Sequence, residues 1–304
     1  MLRFSFYLLL SAFVVGIVTV GAVLWNVLPQ LPSADALREV HLQTPLRVFT
    51  SDGRLIAEFG EKRRHPVAID QVPELMKQAF IASEDDRFYE HPGVDWMAIT
   101  RAAIGLLQTR EKKQGGSTIT MQVARNFFLS PEKTYERKLK EIVLAVKIEQ
   151  ELSKDEILEL YLNKIFLGHR AYGVGAAAQV YYGATLDELS VGQIAMIAGL
   201  PKAPSNTNPV TNPDAAEGRR AYVLSRMLKL GFIDEATYTG ALAEPVATTV
   251  HGLRTEVDAP YLAEMVRAYL RDNYHDDAYT AGYRVITTVS SKRQQAAQAA
   301  LVNT

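Results

Sequence analysis

The sequence predicts a mainly α-helical domain behind one N-terminal transmembrane helix, with small β elements on either side. Three observations predict this. Phe4 to Leu28 carries no charged residue over 25 positions; Val72 to about Ala243 shows helical apolar spacing with repeated cap signals; and "LRVFTSDGRLIAEF" and "YRVITTV" alternate as short strands do. The 304 residues, 48% of them hydrophobic, suffice for a core, so disorder is not expected. Lys+Arg 33 against Asp+Glu 34 leaves no overall basic field, which argues against a nucleic-acid partner and makes any cationic site local. Cysteine is absent, and thiol catalysis, disulfides and thiolate metal sites are excluded with it.

At ~1.5 Å per residue, a helix over Phe4–Leu28 exceeds a hydrocarbon core of roughly 30 Å. The apolar region of a cleavable signal is only about 7 to 15 residues long, so an anchor is the better reading. Trp25 stands where an interfacial residue belongs, and Arg3 on the short N-terminal side favours an inside N-terminus. Residues 1–28 therefore read as cytoplasmic tip and anchor. Residues 29–59 read as a stem: "PQLPSADALREVHLQTP" is proline-rich and polar, and the alternation that follows turns at Asp52-Gly53 as a β-hairpin does.

Residues 60–243 form the helical domain. Ser130-Pro131 and Asn212-Pro213 read as N-cap followed by first-turn proline. Ser153 with Glu156 and Ser190 with Gln193 fit the capping box, and Gly231 closes "AAEGRRAYVLSRMLKL". "LQTREKKQGGS", from Leu107 to Ser117, has charge, two glycines and no apolar period, which predicts a mobile loop. In residues 244–304, "APYLAEMVRAYLRDNY" predicts a helix, "YRVITTV" a strand, and "QAALVNT" lies within a further helical pattern.

Four stretches of the helical region hold candidate chemistry: "EDDRFYEHPGVD" (84–95), "GGSTITMQVARN" (115–126), "ERKLKEIVLAVKIEQELSKDEILELYLN" (136–163) and "LGHRAYGVGAAAQVYYG" (167–183). Each has an ordinary explanation when taken alone. Arg137 and Glu141 share a helix face, with Lys138 beside them, and a surface salt bridge accounts for that. Gly-Ser-Thr at a helix start is often a cap, and a lone His91 often a structural hydrogen bonder. The six histidines are scattered and form no His-x-x-x-His pair, so no metal site is expected.

Taken together, the order and spacing of these stretches resemble the family 51 glycosyltransferases, the peptidoglycan glycosyltransferase domains of class A penicillin-binding proteins. The first motif, Glu-Asp-x-x-Phe-x-x-His-x-Gly-hydrophobic-Asp, is matched throughout by residues 84–95. The second, Gly-x-Ser-Thr-Ile-Thr-Gln-Gln, is matched by 115–122 with Met121 in place of the first glutamine. Arg137, Lys138 and Glu141 match the third; Lys154, Ile157, Leu158, Tyr161, Leu162 and Asn163 match the fourth. In the fifth, "YYGAT" carries Ala184 where members usually have a basic residue. "SPEK" (130–133) formally matches the Ser-x-x-Lys of a transpeptidase, but it lies inside the glycosyltransferase region and no Lys-Thr-Gly follows. The tail from about 244 resembles the linker of bifunctional members of the 1a type, so the chain reads as stopping before a transpeptidase domain.

The resemblance implies a lysozyme-like helical fold and polymerisation of lipid II into β-1,4-linked glycan strands, with inversion and release of undecaprenyl diphosphate. It assigns Glu84 as proton acceptor for the attacking hydroxyl. A diphosphate leaves without full protonation when cations and donors neutralise its growing charge. Arg125, Arg137 and Lys138 are the implied cations, with Ser117, Thr118, Gln122 and Asn126 as hydrogen-bonding partners. Glu141, the second carboxylate, reads as orienting those cations or binding the leaving-group side rather than as a second base. Asp85, Phe88 and His91 shape the first motif, and Lys154, Tyr161 and Asn163 complete the substrate-binding set. No cofactor is required, although magnesium or manganese at the diphosphate fits the chemistry. The implied partners are lipid II, the lipid-linked growing strand, the membrane and unidentified cell-wall synthesis proteins. The implied location is the bacterial inner membrane, with a periplasmic catalytic domain. Trp96, Ile104, Leu106, Leu107, Phe127 and Phe128 read equally as lipid contacts or as core. A muramidase or lytic transglycosylase is the enzymatic alternative, disfavoured by the basic motifs. An inactive membrane-anchored scaffold is disfavoured by intact Glu84 and Glu141.

Overall fold

The computed structural model describes residues 43–60, 63–101, 116–130, 132, 134–246, 249–252 and 255–302, with isolated positions before residue 43. Apart from Tyr7 and Gly21, the anchor expected over Phe4–Leu28 lies outside the described residues, as does most of the loop expected at Leu107–Ser117, with Ile104, Leu106 and Leu107. Among the described residues no helix is long and apolar enough to cross a membrane. The chain is mainly helical and divides into two compact units, Met1–Val40 with His91–Ser153 and His41–Glu90 with Lys154–Thr304.

The second unit opens with the expected hairpin. Strands β1 (Leu46–Phe49) and β2 (Leu55–Phe59) pair antiparallel with Leu46 opposite Phe59. Gly53 takes φ 82° in the turn, and the amide of Arg54 donates to Thr50 Oγ1 at 2.9 Å. β3 (Arg63–Arg64) pairs in parallel with β4 (Ala171–Tyr172). The late strand β5 (Arg284–Ile286) then joins β1 in parallel, giving the order β2-β1-β5. The early hairpin and the late segment thus share one core, in which Leu46, Val48 and Ile56 meet Val257, Ala263 and Leu270.

The helices of this unit are α1 (Glu74–Glu84), α4 (Lys154–Lys164), α5 (Val174–Tyr182), α6 (Val191–Gly199), α7 (Pro213–Lys229), α8 (Glu235–Ala243), α9 (Pro260–Tyr274) and α10 (Ser291–Val302). α6, "VGQIAMIAG", buries seven of its nine residues and is apolar on every side, which suits a helix packed between α1 and α7. Its start carries the expected capping box: Ser190 Oγ accepts from Gln193 N at 3.2 Å, and Gln193 Oε1 accepts from Ser190 N at 3.1 Å. Asn212 Oδ1 accepts from Ala215 N at 3.2 Å ahead of Pro213, and Gly231 follows α7 at φ 74°. α4 begins at Lys154, directly after Ser153. Asp52 of the hairpin turn accepts from the Ser291 hydroxyl and, at 2.9 Å, from its amide, so it caps α10. Those two bonds hold the Asp52 carboxyl down to about 2.

The first unit is built on α2 (Ile119–Phe128) packed against α3 (Tyr135–Glu151). One expected cap is corrected here. α3 starts at Tyr135, with Thr134 Oγ1 accepting from Arg137 N at 3.1 Å and Glu136 in the first turn; Ser130 is exposed and not helical. A hydroxyl one residue before an acidic first turn satisfies the amides there, whereas Ser130 precedes that turn by too much chain to reach them. Gly93 takes φ 86°, and a Cβ at this position would stand 2.7 Å from the carbonyl oxygen of Ala145 on α3. Gly93→Ala is therefore expected to destabilise this unit by about 1–3 kcal/mol, read as a lowered melting temperature. An unchanged melt would show that the loop shifts freely away from α3.

Candidate active site

Glu84 is the last residue of α1 and is half-buried. The helix stops because Asp85 leaves the helical region at φ −160°, while its amide still donates to Ile81 O at 3.0 Å. Phe88 N then donates to Asp85 O at 3.0 Å, closing a turn that fixes the direction in which the chain leaves Glu84. Asp85 is 8% exposed and Phe88 fully buried. The Lys154 ammonium lies 4.6 Å from the centre of the Phe88 ring, a cation–π contact that ties the first and fourth motifs together. Tyr89 Oη donates to Asp155 at 2.9 Å; burial first and then this carboxylate push its phenol up to about 12.

Two further members of the fourth motif serve the scaffold. Tyr161 is 1% exposed and meets Phe80 edge-on at 5.9 Å between ring centres. Asn163 Nδ2 donates to Val67 O at 2.8 Å and its Oδ1 accepts from Val67 N at 2.9 Å, as an amide replacing a strand neighbour would. Tyr161 and Asn163, both expected among the substrate-binding residues, have buried side chains here, and the Asn163 amide bonds the backbone of Val67. Asn163→Ala is expected to cost about 1–3 kcal/mol by leaving the Val67 amide and carbonyl unsatisfied. Denaturant titration reads this directly, and a cost near zero would mean that water replaces the amide.

The second and third motifs converge within the first unit. Glu141, 1% exposed, is held by two cations: Arg137 Nη1 bonds its Oε1, and Lys138 Nζ lies 2.9 Å from its Oε2. Lys138 Nζ also donates to Ser117 Oγ at 2.7 Å, linking α3 to the residue before the N-cap of α2. The buried Arg137 Nε has no hydrogen-bond partner among the described residues. Buried donors are normally satisfied, so this one is open to an acceptor beyond the described residues, a ligand oxygen included. Gln122, Arg125 and Asn126 fall on one face of α2, with Gln122 buried and the other two half-buried.

Thr118 has a structural role at the start of α2. Its Oγ1 donates to Gly93 O at 2.6 Å and accepts from Met121 N at 3.1 Å, and the residue is 2% exposed. It is the N-cap of α2, and the one proton of its hydroxyl is committed to Gly93 O. His91 is buried, and Asp95 Oδ1 accepts from Ala98 N at 2.8 Å, so the end of the first motif caps the next helical turn. Trp96 is 61% exposed, Phe127 and Phe128 half-buried. Ala184 is half-buried just after Gly183.

Sequence reasoning passed over Thr120, whose Oγ1 donates to Glu149 at 2.6 Å and fastens α2 to α3. It also passed over Asp86 and Arg226, which pair at 2.6 Å. No group of three or more His, Asp or Glu able to hold a metal ion occurs among the described residues. A cavity of about 290 Å³ in the second unit is lined by Arg63, His65, Gln179, His251 and Glu256; Gln179 lies in the stretch 167–183, and no residue matched to the first four motifs borders the cavity.

Comparison with known proteins places these features in context. The model of a family described as Transglycosylase matches residues 52–228. Penicillin-binding protein 1A of Escherichia coli (strain K12) is 55% identical over 275 residues, covering 90% of this chain and 32% of that protein. Penicillin-binding protein 1A of Vibrio cholerae is 52% identical, covering 97% of this chain and 36% of that protein. The chain thus spans about a third of the length of these relatives. The crystal structure of penicillin-binding protein 1A from Haemophilus influenzae aligns with a TM-score of 0.46 at 37% identity, covering 86% of this chain and 29% of that one.

Proposed function

Because this chain belongs to the transglycosylase family, we propose that it is a peptidoglycan glycosyltransferase, polymerising lipid II into β-1,4-linked glycan strands in cell-wall synthesis. The observation that carries this reading is the buried Glu141 with Arg137 and Lys138 gathered on it. A carboxylate with both oxygens bound to cations is poorly suited to take a proton. It is well suited to hold a guanidinium and an ammonium ready for an anion, and the remaining donors of both, Arg137 Nε among them, fit the oxygens of a diphosphate.

In this reading Glu84 takes the proton of the attacking sugar hydroxyl as its oxygen bonds to the anomeric carbon of the other unit. The bond from that carbon to the diphosphate breaks on the opposite face, which inverts the centre, and the electron pair leaves with the diphosphate. Arg125, Arg137 and Lys138 offset the growing negative charge, with Ser117, Gln122 and Asn126 as further donors. A glycosidase must instead protonate an alkoxide leaving group. The cation cluster therefore favours transfer from a diphosphate over the muramidase or lytic transglycosylase alternative. Magnesium or manganese would add positive charge at the diphosphate, and no step here depends on either.

The same reading includes a lysozyme-like fold, an anchor over Phe4–Leu28 in the inner membrane and a catalytic domain in the periplasm. Both substrates carry a long lipid, so anchoring would confine the search for them to two dimensions. Exposed Trp96 is suited to the lipid surface. The decisive assay supplies labelled lipid-linked disaccharide precursor to the detergent-solubilised chain. Long glycan products with release of polyprenyl diphosphate are expected; soluble muropeptides released from finished glycan would overturn the assignment.

A further inference from the structure

α1 ends at Glu84, and the last four carbonyls of any helix lack intrahelical partners. Two of these are accounted for close to Glu84 itself. Ile81 O accepts from Asp85 N, and Ala82 O accepts from Arg226 Nε at 3.1 Å. Arg226 comes from the last turn of α7, far along the chain, and its Nη2 also bonds Asp86 Oδ2 at 2.6 Å. One planar guanidinium thus grips the backbone two residues before Glu84 and the side chain two residues after it. Both side chains are mostly buried, at 24% and 26% exposure, so the pair is only partly screened by water. The Ser83 hydroxyl lies 3.2 Å from both Ala198 O on α6 and Phe80 O in its own helix, its one proton shared between them.

We infer that Arg226 is a positioning residue for Glu84, its fork fixing the helix end from which the Glu84 carboxylate projects. The inference rests on the reading of Glu84 as proton acceptor. A helix end left to fray moves its terminal side chain by an ångström or more, and misplacement on that scale costs about a hundredfold in rate. Arginine alone meets both acceptors at once, because the Nε and Nη2 donors lie in one plane at fixed separation. Lysine can reach Asp86 or the carbonyl, but not both with the same geometry.

The test compares initial rates of polymerisation by the detergent-solubilised full chain and its variants, with Glu84→Gln run in parallel. Arg226→Met is expected to lower kcat by about tenfold or more while KM for the lipid-linked precursor stays within about twofold. Arg226→Lys should recover a measurable part of that loss, and Asp86→Asn should show a smaller loss, again in kcat alone. A kcat for Arg226→Met within about twofold of the parent would overturn the inference, as would a loss appearing equally in KM or not relieved by lysine. If Arg226→Met fails to fold, Arg226→Lys and Asp86→Asn decide: losses confined to kcat uphold the inference, and parental rates in both overturn it. An active Glu84→Gln would overturn the reading of the base instead, independently of how the Arg226 variants behave.

Discussion

Glu84→Gln is expected to lower the rate of polymerisation by about 10²–10⁴-fold while leaving the fold and the binding of lipid-linked precursor intact. Glutamine matches glutamate in shape, so the helix end at Glu84, the turn through Asp85 and the packing of Phe88 are preserved. What is lost is the capacity to accept a proton. A sugar hydroxyl is a weak nucleophile near neutral pH, and without an acceptor it must attack while still protonated. The loss should fall on kcat, because in the proposed reading the donor is held chiefly through its diphosphate by groups on α2 and α3. Asp85→Asn, at a position 8% exposed beside the base, should have a smaller effect. The measurement is the initial rate with labelled precursor, alongside equilibrium binding of a non-reacting analogue. A mutant that polymerises at the parental rate would remove Glu84 from the chemistry, and one that no longer binds the analogue would make it a binding group.

How far the sequence foretold the structure depends on whether the determining contact is local. The hairpin at Asp52-Gly53, the Ser190–Gln193 box, the Asn212 cap and the Gly231 stop are each settled within a few residues, and each was legible. Even locally, Ser130-Pro131 misled, because Thr134 offers its hydroxyl closer to the first turn of α3. The pairing of β1 with β5 brings Arg47 opposite Arg284, and no local pattern could announce it. The site divides in the same way. Arg137, Lys138 and Glu141 lie on one helix face, so their meeting follows from spacing alone. Thr118, Tyr161 and Asn163 belong to the same motifs, yet their side chains face backbone or core. A motif records which residue types recur together, and it does not distinguish a group that meets a ligand from one that braces the group that does. Arg226 shows the converse, since its partner Asp86 is 140 residues away and nothing near Arg226 marks it out among the arginines of α7.

Glu141 separates two views of the second carboxylate, because orienting cations and accepting a proton predict different losses. Glu141→Ala should destabilise the first unit by about 3 kcal/mol, the scale at which removing one partner strands a buried charge. The stranded group is Arg137, whose side chain is 15% exposed; Lys138, at 41%, can turn to water and contributes little to that cost. Glu141→Gln keeps the volume and one acceptor oxygen, so it should fold with a smaller loss. Its catalytic effect is then informative. If Glu141 holds Arg137 and Lys138 for the diphosphate, losing its charge lets both cations drift, and KM for the donor should rise along with any fall in kcat. Arg137→Ala should weaken donor binding in the same direction, and the double variant should lose less than the sum of the two single changes, because both act on one site. Melting temperatures and steady-state rates of the three variants measure these effects. A Glu141→Gln enzyme with parental KM and a kcat as low as that of Glu84→Gln would instead make Glu141 a second proton acceptor.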